Sequence, residues 1–188
     1  MIKIIDECAN SFLADEIERI FLDQLTYWWY DPSTLGCTSL NKNKEFYETF
    51  QFVHPIMDNG RADSPHTATV MMLVNKIFSD QDIDIFNYRR IKINQLVKSQ
   101  NNQSHPPHVD DAAENMISAV YYINDSDGPT YFYDANNQCV NKVQPKKNRC
   151  VIFPSNHLHA SSSPILNDRR LVINIVAATM KIIDSGIR

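Results

Sequence analysis

From Phe86 onward the chain breaks into short runs rich in β-branched and aromatic residues, each closed by turn chemistry. The runs are Arg90–Lys98, Met116–Ile123, Thr130–Tyr133, Gln138–Val143, Cys150–Phe153 and Leu171–Ala177. Asn124-Asp125-Ser126-Asp127-Gly128-Pro129, Asp134-Ala135-Asn136-Asn137 and Pro145-Lys146-Lys147-Asn148 separate several of them. So many short strands in one block argue for a sandwich or a barrel. Before residue 85 the spacing is helical. Asn10 or Ser11 heads a segment with Ile17, Ile20, Phe21 and Leu25 on one stripe, and Ser64-Pro65 precedes another with Val70, Leu73, Val74 and Ile77 on one face. Residues 31–60 read as loop plus one strand near Phe46 to Val53. The expected fold is α+β, mainly β, with a jelly-roll core and supporting N-terminal helices. All 188 residues form a single domain in this reading, 1–85 as helical support and loops and 86–180 as the β core.

Four glycines (Gly36, Gly60, Gly128, Gly186) lie too far apart for a phosphate-cradling loop, a dinucleotide fingerprint or a nucleophile elbow. A net charge of −4 gives no long-range attraction for nucleic acid or an anionic membrane. Two basic stretches, Arg89-Arg90-Ile91-Lys92 and Lys146-Lys147-Asn148-Arg149, each read as a solvated strand edge or turn. Cys8, Cys37, Cys139 and Cys150 form no Cys-x-x-Cys pair and read as free thiols of a reducing compartment. Met1 to Glu7 reaches acids before any signal-like apolar stretch, and the apolar run Val70 to Val74 is too short for a bilayer. A cytoplasmic protein with no membrane partner is expected.

The histidines carry the functional signal. In His108-Val109-Asp110 an imidazole and a carboxylate sit at i and i+2, on one face of an extended chain. Chance alone supplies about half an occurrence of this triplet in such a composition, so it does not decide the matter by itself. His159 follows 49 residues after Asp110, beyond the buried-strand pattern Cys150 to Phe153. Two imidazoles and one carboxylate fill three corners of an octahedron and leave three open, which suits non-haem Fe(II) and oxygen chemistry. Structural zinc would need a fourth ligand, and no cysteine is spaced to give it. Arg170 heads the apolar run Leu171 to Val176, a costly place for a cation unless it meets an anion. An oxygenase needs two further electrons, which a chelating 2-oxo acid supplies, and the far carboxylate of such an acid calls for a guanidinium.

His108-x-Asp110, His159 and Arg170 together resemble the Fe(II)- and 2-oxoglutarate-dependent dioxygenases, in their prolyl-4-hydroxylase-like branch and most of all its small phage and marine-bacterial members. His105 to Asp110, Val120 to Asn124 and Gly128-Pro129-Thr130 are similar to that branch's metal strand and the strands after it. Asn148 to Ser155, followed by His159, is similar to its distal-histidine strand. The resemblance spans about residues 88 to 178. It implies a double-stranded β-helix in which His108, Asp110 and His159 bind Fe(II). It also implies that Arg170 pairs with the distal carboxylate of 2-oxoglutarate and that Tyr122 donates a phenol to the same group. Arg170 is preferred to Arg169 on strand register, and a one-residue slip would exchange them. Asn174 shares the face of Arg170 and is a candidate near iron or substrate. The implied reaction uses O2 and couples decarboxylation of 2-oxoglutarate to C–H hydroxylation of a small-molecule or peptide substrate. Asp110 fills the position a halide would take, which favours hydroxylation over halogenation. Gly128 before Pro129 replaces the usual glycine pair, and the stretch Ser99 to Ser104 is long; both bear on the substrate rim.

Three other readings compete. A cupin-like oxygenase or isomerase would keep the metal without 2-oxoglutarate, and a jelly-roll binding or structural module would keep neither. A nucleic-acid demethylase is opposed by the acidic balance and by the lack of a second arginine on the Arg170 face. His105 reads as part of a proline-stiffened loop, His157 as a surface group or one behind the ligands, and His54 and His66 as ordinary satisfied side chains. Trp28, Trp29 and Tyr30 are expected to pack the first helix on the sheet. Tyr121, Tyr131 and Tyr133 read as strand residues. Neither the substrate nor the oligomeric state follows from the sequence.

Overall fold

The computed structural model describes residues 2–34, 49–101 and 103–180. Asn10 opens α1 (Ser11–Leu22): its side-chain oxygen accepts the Leu13 N–H at 2.9 Å, which satisfies a donor the first helical turn leaves free. Ala14, Ile17, Ile20 and Phe21 form the buried face of α1. Leu25 does not extend it. The helix ends at Leu22, and Leu25 is 91% exposed. The second helix, α2 (Thr67–Ser79), buries Val70, Leu73, Val74, Ile77 and Phe78.

The strands are β1 (Lys3–Ile5), β2 (Trp29–Asp31), β3 (Gln51–Asp58), β4 (Arg61–Ala62), β5 (Ile85–Val97), β6 (Met116–Tyr122), β7 (Thr130–Tyr133), β8 (Cys139–Val143), β9 (Arg149–Pro154), β10 (His159–Ala160) and β11 (Arg169–Thr179). All six runs read from the sequence are strands. The first third is less helical than its spacing suggests, because β1 to β4 also lie there. β1 adds to one edge of the large sheet and β2, β3 and β4 build the other, in the order β1-β9-β6-β11-β5-β3-β2 with β4 on β3. β10-β7-β8 make the second sheet. The strand expected near Phe46 to Val53 is β3, shifted toward the C-terminus; residues 46–48 lie outside the described residues, as do Gly36, Cys37 and Gly186.

Side chains alternate along the central strands, so the large sheet has two buried faces. Tyr121 of β6, Ile152 of β9 and Leu171, Ile173 and Ile175 of β11 pack toward α1 and α2. One residue out of phase, Val120, Tyr122, Val151, Phe153 and Val172 meet Phe132 and Val143 of the second sheet. Burial on both faces explains why β9 and β11 read as nearly unbroken apolar runs. This is the double-stranded β-helix, with the helices on one side and the small sheet on the other. No helix among the described residues is long and apolar enough to cross a membrane.

Of the three expected packing aromatics only Trp28 joins the core, edge-on to Phe21 at 6.5 Å; Trp29 and Tyr30 are exposed. Their chain turns into edge strand β2, whose burial is slight. Lys146, Lys147 and Arg149 are ion-paired to Asp6, Asp15 and Glu18, so that basic turn ties the β8–β9 connection to β1 and α1.

Candidate metal centre and its family

Strand pairing brings the two distant histidines together. His108 forms an antiparallel bridge with His159 at the edge of the small sheet: each backbone N–H donates to the other's carbonyl at 2.9 Å. Residues directly opposite in such a pair carry their side chains on the same face, and the two rings have centroids 4.6 Å apart. Asp110, two residues on, is held by its own N–H on the Ser155 carbonyl. One nitrogen from each imidazole and one Asp110 oxygen all lie within 4.8 Å of one another.

The second nitrogen of each ring is turned to a backbone carbonyl. His159 Nδ1 lies 2.9 Å from the His157 oxygen, and His108 Nδ1 lies 3.4 Å from that of Pro106. A carbonyl only accepts, so Nδ1 carries the proton and Nε2 keeps a free lone pair for a metal. Burial and the neighbouring His159 lower the His108 pKa to about 4, which keeps it neutral and able to ligate at physiological pH. Burial alone would raise the pKa of Asp110. The two imidazoles, Arg90 and the Ser118 hydroxyl outweigh it and bring that carboxyl to about 2. Ser118 Oγ donates to Asp110 Oδ2 at 2.7 Å, and Arg90 Nη2 donates to Oδ1 at 3.0 Å. Two imidazoles and one firmly ionised carboxylate fit a non-haem Fe(II) ion.

A cavity of about 240 Å³ opens from this triad toward Arg170, lined among others by Val120, Thr130, Val172 and Asn174. Arg170 is 2% exposed. Its Nε donates to the Gly128 carbonyl at 2.7 Å and its Nη2 to Thr130 Oγ1 at 2.8 Å, while the guanidinium lies 5.5 Å from the Tyr122 ring centre. Arg169 is exposed on the opposite face, as the register reading expected. Tyr122 stands one step farther from the cavity than expected. Its hydroxyl donates to Thr130 Oγ1 at 2.7 Å, and Thr130 is the residue that reaches the cavity. Both lone pairs of the Thr130 hydroxyl are taken, so its proton is left to donate. Asn174 lines the cavity and accepts from Arg90 Nη2 at 3.2 Å.

The sequence reading missed several residues here. Arg90 and Lys92 are not a solvated strand edge; both line the cavity beside Asn94 and Leu96. Alternation with buried Ile91 and Ile93 is the signal that would have found them. Ser118 gave no signal, because it is one small residue inside an apolar strand. His105 lies in a loop, as its neighbouring prolines suggested, but no sequence signal marked it as buried. It is 1% exposed and sits between Ser161 Oγ on Nδ1, at 2.9 Å, and Ser163 Oγ near Nε2.

Residues 92–176, which contain the triad and Arg170, match the sequence profile of the 2OG-Fe(II) oxygenase superfamily. No curated protein matches the chain by sequence. Among solved structures, a prolyl hydroxylase from Trichoplax adhaerens, in complex with a hypoxia inducible factor peptide fragment, is similar at TM-score 0.65 and 16% identity, covering 94% of this chain and 83% of that one. A Pseudomonas putida prolyl-4-hydroxylase is similar at TM-score 0.57 and 15% identity, covering 95% and 92%. The alpha ketoglutarate dependent epimerase SnoN from nogalamycin biosynthesis is similar at TM-score 0.59 and 10% identity, covering 99% and 81%. Proteins of this fold thus include prolyl hydroxylases and an epimerase. A cavity joins two imidazoles, a carboxylate and a buried arginine, and the profile of the 2OG-Fe(II) oxygenase superfamily matches the stretch of chain that carries all four.

Proposed function

We propose that the protein is a 2-oxoglutarate-dependent hydroxylase in which His108, Asp110 and His159 hold Fe(II) and Arg170 anchors the cosubstrate. Bound there, Fe(II) with 2-oxoglutarate and O2 supplies the oxidising chemistry that couples loss of CO2 to hydroxylation of a substrate C–H bond. The chain's own share is ligation, charge and dryness. His108 and His159 present Nε2, and Asp110 brings a negative charge fixed by Ser118 and Arg90. Arg170 and the Thr130 proton receive the distal carboxylate, and Tyr122 holds Thr130 in place. Val120 and Val172 wall off water between the two ends, which strengthens each electrostatic contact. The observation that carries the reading is the single antiparallel bridge that opposes His108 to His159 within reach of Asp110.

The substrate is a small molecule or a peptide in this reading. A cytoplasmic, reducing setting is supported by Cys8, Cys139 and Cys150, which are free thiols. Protein prepared without oxygen and given Fe(II) should release succinate from 2-oxoglutarate on exposure to air. His108→Ala should abolish that release. Arg170→Ala should raise the 2-oxoglutarate requirement about ten- to a hundredfold, the worth of hydrogen bonds to a charged group. A charge-transfer absorption on adding 2-oxoglutarate to the Fe(II) protein separates this from a metal enzyme that binds substrate directly; if none appears, the hydroxylase reading fails.

A further inference from the structure

The inner face of β5 presents Arg90, Lys92 and Asn94 at alternate positions along one strand, beside the metal triad. Residues i and i+2 of a strand lie roughly 7 Å apart, close enough for two side chains to converge on one small group. Arg90 is only partly used. Its Nη2 serves Asp110 and Asn174, while Nε is buried and has no hydrogen-bond partner. Asn94 Oδ1 and Thr34 Oγ1, which line the same cavity, are also buried without a partner. Orphaned buried polar atoms are costly, and three around one cavity indicate a ligand that satisfies them.

The charges agree with this. Among the described residues, the ionised groups lining the cavity are Arg90, Lys92 and Arg170 against Asp110, which makes an excess of two positive charges inside a chain of net charge −4. Fe(II) and the 2-oxoglutarate dianion together add no net charge, so the excess persists when both are bound. Arg170 lies at the cosubstrate end. The surplus therefore belongs to Arg90 and Lys92, whose nearest acidic neighbours are Asp110 and Asp31; Asp31 is engaged by Gln51 Nε2 at 3.1 Å and the Ser33 N–H at 3.2 Å. A volume of about 240 Å³ lies below the ~300–1,000 Å³ of drug-sized ligand sites, and it must also admit the cosubstrate.

We infer that Arg90 and Lys92 form the receptor for a substrate carboxylate, and that the enzyme hydroxylates a small free acid close to its carboxylate. The guanidinium offers its planar edge and the ammonium a second donor, while Asn94 takes an N–H or O–H of the same molecule. Because Arg90 is bonded to Asp110, a carboxylate bound there holds the reacting carbon within a few bonds of the metal. A proline inside a peptide has no free carboxylate at that distance. This inference rests on the proposed hydroxylase reading and narrows its substrate class.

The test uses the full chain loaded with Mn(II), which supports binding without turnover, and saturated with 2-oxoglutarate. Free L-amino acids and small hydroxy acids, their matching carboxamides, phosphate monoesters and an end-blocked proline peptide are titrated by ligand-observed NMR and thermal shift. At least one free acid should bind, with its carboxamide about ten- to a hundredfold weaker. Lys92→Gln should weaken the acid by a similar factor, Lys92→Arg should restore most of it, and Arg90→Lys gives an independent variant that keeps the charge but loses the planar edge. The inference is overturned if no free acid binds, if acid and carboxamide bind alike, if only phosphate monoesters bind, or if the blocked peptide binds equally to wild type and Lys92→Gln. Failure of wild type to take up 2-oxoglutarate at all would instead remove the cofactor reading, and this inference with it; each variant's 2-oxoglutarate titration is run alongside to keep the two apart.

Discussion

Asp110 shows how single side chains set the chemistry of this site. Ser118 reaches it from β6 and also lies 2.9 Å from Ser155 Oγ, so two buried hydroxyls fix one carboxylate oxygen. Ser118→Ala should weaken Mn(II) or Fe(II) binding about ten- to a hundredfold, the usual cost of losing a group that orients a metal ligand, and metal titration of the folded variant measures it. His105 makes a pH argument. Burial, helped by the charge of Arg170, lowers its pKa to about 3, against about 6.5 in the unfolded chain. The unfolded state therefore binds more protons below pH 6.5. Stability from this residue is complete above that pH and declines as the pH falls toward 3, with about 2 kcal/mol lost by pH 5. Urea unfolding between pH 7 and 5 should show this slope, and His105→Gln should flatten part of it. Burial also lowers the pKa of His54, which is held between the Tyr27 carbonyl and Ser64 Oγ, so some slope should remain in the variant.

Turns between strands tie the site to the fold. Gly128 closes the β6–β7 connection, and a Cβ there would stand 2.4 Å from the Ser162 carbonyl oxygen and 3.0 Å from Pro164 N, both backbone atoms with little freedom to move. The Gly128 carbonyl itself receives Arg170 Nε. Gly128→Ala should cost about 1–3 kcal/mol of overpacking strain and also raise the 2-oxoglutarate requirement, because the displaced turn carries the acceptor that aims Arg170. Thermal denaturation and a cosubstrate titration of one preparation check both effects. The β8–β9 turn works differently: Asn148, at φ 64°, exchanges two hydrogen bonds with the backbone of Ala9, at 2.9 and 2.7 Å. Asparagine tolerates that left-handed backbone, and its amide mimics a peptide group. The strands that hold these turns were legible in the sequence, since β-branched runs and turn residues are local signals. β1, β2, β4 and β10 were not, because two or three residues carry too little periodicity and such strands exist only where a neighbour offers a free edge.

At the scale of the whole molecule, the family profile covers residues 92–176, yet the sheet they form is finished by the chain before them. β3 flanks β5, β1 flanks β9, and α1 and α2 cover Ile152, Leu171, Ile173 and Ile175. A fragment of 92–176 alone should bind an apolar dye and unfold without a cooperative transition, whereas the full chain should show one; far-UV circular dichroism on heating distinguishes them. The sequence by itself determined the strand-rich core, the capped first helix, the shared face of His108 and Asp110, and the inward face of Arg170. Those features depend on neighbours two to four residues apart, where strand and helix periodicity dictate direction. Only the tertiary structure decided that His108 opposes His159, that Thr130 stands between Tyr122 and the cavity, and that Arg90 and Lys92 face inward. Each of these depends on which strand lies beside which, and that choice is set by burying both faces of one sheet at once.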